Sequence, residues 1–161
     1  MVILVTGVAG SGKTTVGQLL SQQLEWPFVD ADDYHPKENV EKMRAGIPLT
    51  DADRAPWLAS LRALIEGWVA SGLNGVLACS ALKQVYREKL VVGPEVRVVY
   101  LDGSREVLYQ RLQSRAGHFM TSQMLESQLG TLEPPEDAIT VDVDKSPQEI
   151  VSEIRDKLRL R

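Results

Sequence analysis

Apolar residues fall along this chain in two alternating patterns. Short runs of mainly aliphatic and β-branched residues occupy positions 2–6, 27–29, 75–79, 96–101 and 139–143, as expected of strands buried in a sheet. Between them apolar positions recur at spacings of three and four. Val16, Leu19, Leu20 and Leu24 form one stripe. Trp57, Leu58, Leu61, Leu64, Ile65, Trp68 and Val69 form the clearest, with Pro56 near its start and Gly72 near its end. Both stripes predict helices with one face in the core. A last helix is predicted to open at Ser146-Pro147-Gln148-Glu149, a capping box with proline at the first helical position, and to continue through Ile150, Val151, Ile154 and Leu158. Strands alternating with helices predict an α/β fold with a parallel sheet covered on both faces. The 161 residues suit one domain spanning 1–161. In such sheets ligands bind beyond the C-terminal ends of the strands.

The first of those strand ends carries the strongest chemical signal. Gly7-Val8-Ala9-Gly10-Ser11-Gly12-Lys13-Thr14 fits G-x-x-x-x-G-K-[ST] and lies between a predicted strand and a predicted helix. Backbone N–H groups of such a loop point inward around an anion, and the helix N-terminus adds partial positive charge. The glycines permit the close backbone approach. These eight residues, with Thr15 behind them, are the candidate nucleotide-binding set. Lys13 is placed to reach the β- and γ-phosphates of ATP, and Thr14 Oγ1 to ligate Mg²⁺.

Charge and composition narrow the partners. The net charge is -4 and the basic residues are scattered, so no nucleic-acid partner is expected. The first apolar run is too short for a signal peptide and lacks a basic start. No segment approaches a membrane span in length. A cytoplasmic enzyme is the expectation. The single cysteine, Cys79, excludes an internal disulfide and reads as a buried thiol at a strand end.

A second acidic cluster follows the second strand, in Asp30-Ala31-Asp32-Asp33-Tyr34-His35-Pro36. On an extended chain Asp30 and Asp32 project to the same side. One carboxylate there suits Mg²⁺ or its waters, and the other suits proton abstraction from an attacking hydroxyl. The competing reading is an acidic loop that caps the next helix. Many P-loop enzymes end a neighbouring strand in a metal-serving aspartate. Here the third run is followed by Ser80-Ala81-Leu82-Lys83, which leaves the second strand as the source of the metal-side carboxylate. Arg111 and Arg115 lie four apart before Ala116-Gly117-His118-Phe119-Met120, a candidate lid around 115–123 that would bring an arginine onto the transferring phosphoryl group. The competing reading there is a pair of cations favoured by a helix C-terminus.

Read together, these residues resemble the gluconate kinase (gluconokinase) family. The likeness runs from Asp30 to His35-Pro36, then through Asn39, Lys42-Met43, Gly46-Ile47-Pro48-Leu49, Asp51, Asp53-Arg54 and Pro56-Trp57-Leu58. It resumes at Cys79-Ser80-Ala81-Leu82-Lys83, Tyr86-Arg87, Arg111-Leu112, Arg115, His118-Phe119, Ser127-Gln128, Leu132-Glu133 and Pro135. The resemblance implies a nucleoside-monophosphate-kinase-like P-loop fold, a three-layer sandwich with strand order 2-3-1-4-5. It implies transfer of the ATP γ-phosphoryl group to the 6-hydroxyl of D-gluconate, and a homodimer. A polyol bearing one carboxylate calls for cationic and hydrogen-bonding partners. Arg54, Lys83, Arg87 and His35 lie in the resembling segments and are the candidates. Lys83 and Arg87, four apart, are expected on one helical face.

The roles expected are Lys13 on the phosphates, Thr14 and Asp30 on Mg²⁺, Asp32 as base and Arg115, with Arg111, over the transferring group. Asp33 adjoins Asp32 and is the alternative base. A shikimate-kinase-like enzyme shares the fold and a D-x-D after strand two. That family usually has a glycine-rich segment where this chain has Cys79 to Lys83. A nucleotide-binding module without phosphoryl transfer is the non-enzymatic alternative.

Overall fold

The computed structural model describes residues 1–113 and 122–160. Five strands, β1 (Val2–Thr6), β2 (Phe28–Asp30), β3 (Gly75–Ala78), β4 (Val96–Asp102) and β5 (Ile139–Asp142), form one sheet in the order β2-β3-β1-β4-β5. Every pairing is parallel, with Leu4 opposite Leu77 on one side and Val98 on the other. The helices are α1 (Lys13–Leu24), α2 (Lys37–Arg44), α3 (Asp51–Ala70), α4 (Gln84–Leu90), α5 (Arg105–Gln113), α6 (Ser122–Thr131) and α7 (Pro147–Leu158), with a 3₁₀ turn at Ala31–Tyr34. This is the three-layer P-loop sandwich with the expected strand order.

All five residues of β1 are buried, and successive side chains enter opposite layers. Val2 and Leu4 join Leu77 beneath Trp57, Leu58, Leu61 and Ile65 of α3. Ile3 and Val5 join Val76, Val99 and Val141 beneath Val16 and Leu20 of α1 and Ile150, Val151 and Ile154 of α7. A strand covered on both faces gains nothing from polar alternation, which is why it appears as an unbroken apolar run. A third cluster joins Val8 and Ala9 to Leu82, to Leu108 and Leu112 of α5 and to Leu125 of α6. It anchors the loop after β1 to the helices on either side of the undescribed segment.

Two local expectations are revised. Pro56 does not stand near the start of its helix: α3 begins at Asp51, behind a Thr50/Asp53 capping box. Two reciprocal hydrogen bonds set that end, upstream of the apolar stripe. The second concerns Asp32. It is not on an extended chain with Asp30 but within the 3₁₀ turn, because Asp30 Oδ1 accepts from the Asp32 N–H at 3.0 Å and starts the turn.

Candidate active site

The loop 7–14 leaves the C-terminal end of β1 and runs into the first turn of α1. Gly10 and Gly12 hold φ of 83° and 92°, a region closed to most side-chain-bearing residues. A Cβ at Gly10 would also fall 2.9 Å from the Leu108 carbonyl. Lys13 Nζ bends back to the Val8 carbonyl at 3.2 Å. The Ser11 hydroxyl is fully buried and has no hydrogen-bond partner among the described residues. Arg111, near the end of α5, lies over this loop: its Nη1 would be 3.5 Å from a Cβ at Gly12, and its Nη2 donates to the Val143 carbonyl. Glycine backbone, lysine and arginine in one place form a cationic concavity that fits a polyphosphate. Thr15 is exposed on α1.

One cavity joins this loop to the acidic turn. Its walls include Gly10, Gly12, Lys13 and Thr14, then Asp30, Asp32 and His35, then Arg54 and Trp57 of α3, Cys79, Ser80 and Leu82 after β3, and Ser127 and Gln128 of α6. Thr14 Oγ1 donates to Asp30 Oδ2 at 2.9 Å. One Asp30 oxygen caps the 3₁₀ turn, while the other meets the P-loop hydroxyl. The described residues contain no cluster of three or more His, Cys, Asp or Glu side chains that would hold a metal by itself. A hydroxyl and a carboxylate beside a phosphate cradle suit Mg²⁺, which takes few protein ligands and completes its shell with phosphate oxygens and water.

His35 is held on three sides. Its ring stacks on Trp57, centroids 4.2 Å apart and planes at 12°. Its Nδ1 lies 3.2 Å from Asn39 Nδ2, and its Nε2 lies 3.9 Å from Asp32 Oδ1. Trp57 is itself fixed by an Nε1–H bond to the Ala31 carbonyl at 2.7 Å. Burial, assisted by the Arg54 charge, lowers the His35 pKa to about 4. The imidazole is neutral at pH 7.

Arg54 reaches the cavity from α3, with Nη1 donating to the Leu49 carbonyl at 2.9 Å and to the Tyr86 hydroxyl at 3.2 Å. Tyr86 in turn donates to Asp51 Oδ1, which also accepts from Lys83 Nζ at 3.2 Å. Lys83 therefore sits in the network behind Arg54, outside the walls of the cavity. The Asp51 hydrogen bond raises its pKa, so it remains cationic.

Lys83 and Arg87 do not share a helical face. Lys83 is the extended N-cap residue of α4, and Arg87 turns inward. Arg87 is buried at 4% exposure and donates to the carbonyls of Ala81, Leu82 and Glu133 and to Gln84 Oε1. The structure brings Asp30, Asp32, His35 and Arg54 to one cavity with the P-loop and leaves Arg87 beneath its wall. The Cys79 thiol is buried and pushed up to about 12 by that burial, so it is no nucleophile at neutral pH. Arg115 and His118 lie outside the described residues.

The shikimate kinase family model matches residues 9–159. A finer distinction comes from individual relatives. Gluconokinase of Gluconobacter oxydans (strain 621H) is 47% identical over 94% of this chain and 88% of its own. The crystal structure of a gluconokinase from Sinorhizobium meliloti 1021 superposes with a TM-score of 0.87 at 45% identity, covering 98% of this chain and 90% of that one. The chain belongs to the gluconokinase family. Shikimate kinase from Aquifex aeolicus vf5 is more distant, at TM-score 0.60 and 25% identity over 99% of this chain and 96% of its own. The shikimate kinase model therefore captures a kinase fold shared with gluconokinases.

Within this gluconokinase fold, Asn39, Asp51, Tyr86 and Gln128 have contacts to which the sequence alone assigns no role. Asn39 holds His35, Asp51 and Tyr86 hold Arg54 and Lys83, and Gln128 Oε1 accepts from the Ala9 N–H at 2.7 Å. Each touches a candidate site residue from a distant segment or along a short turn, with no periodicity to announce it.

Proposed function

We propose that this chain phosphorylates D-gluconate at the 6-hydroxyl with ATP, giving 6-phosphogluconate and ADP. The observation that carries the reading is the single cavity in which the P-loop, the Thr14–Asp30 pair and the Asp32–His35–Arg54 group face one another. The loop amides and Lys13 bind the phosphates, with Arg111 over them. Thr14 and Asp30 would hold Mg²⁺, which supplies charge neutralisation at the phosphate oxygens. Asp32 takes the proton of the 6-hydroxyl as its oxygen bonds to the γ-phosphorus and the bond from that phosphorus to the ADP oxygen breaks. Arg115, from the candidate lid around 115–123 whose residues 115–121 lie outside the described residues, stabilises charge on the transferring group. His35 and Arg54 hold the sugar acid through hydroxyl and carboxylate oxygens. Lys83 acts from the rim through Asp51 and Tyr86. Arg87 supports the wall rather than touching substrate.

The proposal includes a single domain over 1–161, acting as a homodimer in the cytoplasm without nucleic-acid or membrane partners. Among the described residues no helix is long and apolar enough to cross a membrane. A panel of acceptors tests the substrate: Mg·ATP-dependent ADP release should require D-gluconate and be absent with shikimate or nucleoside monophosphates. Release driven equally by shikimate would overturn the assignment.

A further inference from the structure

Asn39 of α2 is 3% exposed, and its Nδ2 faces two acceptor positions: the Asp53 backbone carbonyl at 2.8 Å and His35 Nδ1 at 3.2 Å. A carbonyl oxygen only accepts, so the nitrogen end of the amide must face it. That nitrogen carries two hydrogens. One goes to Asp53, and the other is directed at His35 Nδ1, which must then be the unprotonated ring nitrogen. A neutral imidazole with a bare Nδ1 carries its proton on Nε2. Stacking on Trp57 fixes the ring plane, leaving Nε2 3.9 Å from Asp32 Oδ1.

We infer that Asn39 is a positioning residue: it fixes His35 as the Nε2–H tautomer, so that His35 donates to a sugar-acid oxygen and leaves proton abstraction to Asp32. The inference rests on the proposed acceptor. The surroundings agree with it. The charged groups acting on the ring are Asp32 on its own turn and Arg54 from α3, and burial with the Arg54 charge keeps the ring neutral near pH 7. The hydrogen bond from Asn39 excludes Nδ1 as a donor. A neutral donor beside Asp32 orients an acceptor hydroxyl without competing for its proton.

Imidazole nitrogen NMR on the full chain tests this directly. The chain has two histidines, His35 and His118, and His118→Gln assigns the signals. At pH 7 His35 should give a pyridine-type Nδ1 and a pyrrole-type Nε2, and D-gluconate should perturb Nε2 more than Nδ1. Asn39→Ala should give mixed tautomers and raise KM for gluconate about tenfold, with KM for ATP unchanged. Asn39→Asp should draw the proton to Nδ1. A wild-type spectrum with protonated Nδ1, or a folded Asn39→Ala protein with the wild-type tautomer and KM, would overturn the inference. If Asn39→Ala does not fold, the wild-type spectrum still decides. If gluconate is not phosphorylated the acceptor reading fails, whereas the tautomer measurement judges Asn39 separately.

Discussion

The Ala9 amide donates to Gln128 Oε1 at 2.7 Å, a bond between the phosphate loop and α6. Just beyond α6, the Glu133 N–H donates to the Leu82 carbonyl at 2.8 Å, and its side chain accepts from the Gln84 N–H at 2.7 Å. One helix and its exit thus hold both the nucleotide loop and the loop after β3. Gln128→Ala should lower kcat/KM for ATP by about tenfold, the loss of one well-aligned hydrogen bond, with a smaller change in thermal stability. Initial rates at varied ATP check this; unchanged ATP kinetics would remove Gln128 from P-loop positioning.

Asp32 and Lys13 should separate in kinetics. Asp32→Asn keeps the shape of the turn but removes a base, so kcat should fall about 10²–10⁴-fold with ATP affinity nearly intact. Lys13→Ala should impair nucleotide binding and turnover together. Near-normal kcat in Asp32→Asn would transfer the base role to Asp33 or elsewhere.

Arg87 and Lys83 should separate in stability. Removing the Arg87 guanidinium takes a buried donor from the Ala81, Leu82 and Glu133 carbonyls, of which Leu82 keeps the Glu133 N–H. Arg87→Met should therefore destabilise the fold by about 2–4 kcal/mol. Lys83→Met, at the rim, should leave unfolding almost unchanged while raising KM for gluconate. Denaturant melts paired with gluconate titrations distinguish the two; equal stability losses would contradict the placement.

Stability should depend on pH through His35. Its pKa is about 4 in the fold against 6.5 when unperturbed, so the unfolded chain binds the extra proton first. This contribution is fully present above pH 6.5 and is lost as pH falls from 6.5 toward about 4. His35→Asn should flatten that part of the profile. Asp53, held at about 2 by the Thr50 backbone hydrogen bond and then by Lys42, acts in a lower window, as pH falls from 3.8 toward about 2. Parallel urea melts of wild type and His35→Asn between pH 4 and 7.5 check the sign, and a parallel pair of profiles would contradict it.

The sheet was legible because β1, β3 and the inner part of β4 are covered on both faces and leave continuous apolar runs. The P-loop was legible because its glycines and Lys13 are constrained by local geometry. The beginning of α3 was not: Asp51, Asp53 and Arg54 precede the apolar stripe, and the capping bonds of Thr50 carry no hydrophobic period. Spacing also misplaced Lys83 relative to Arg87, because a four-residue interval implies a shared face only when both ends are helical, and Lys83 is an N-cap. Asp30 and Asp32 do reach one cavity, through a turn that one aspartate nucleates rather than through strand alternation. The bonds of Asn39 to the Asp53 carbonyl and of Gln128 to the Ala9 amide depend on tertiary docking that no local pattern encodes.

The structure of the product tests most directly whether the γ-phosphoryl group goes to the 6-hydroxyl of D-gluconate. The purified chain is incubated with Mg·ATP and uniformly ¹³C-labelled D-gluconate, and the product is read by ¹³C and ³¹P NMR. One phosphorus coupled to C6 is expected, formed in step with one ADP per gluconate consumed. ADP formation without a C6 phosphoester, or phosphate on another oxygen, would contradict it.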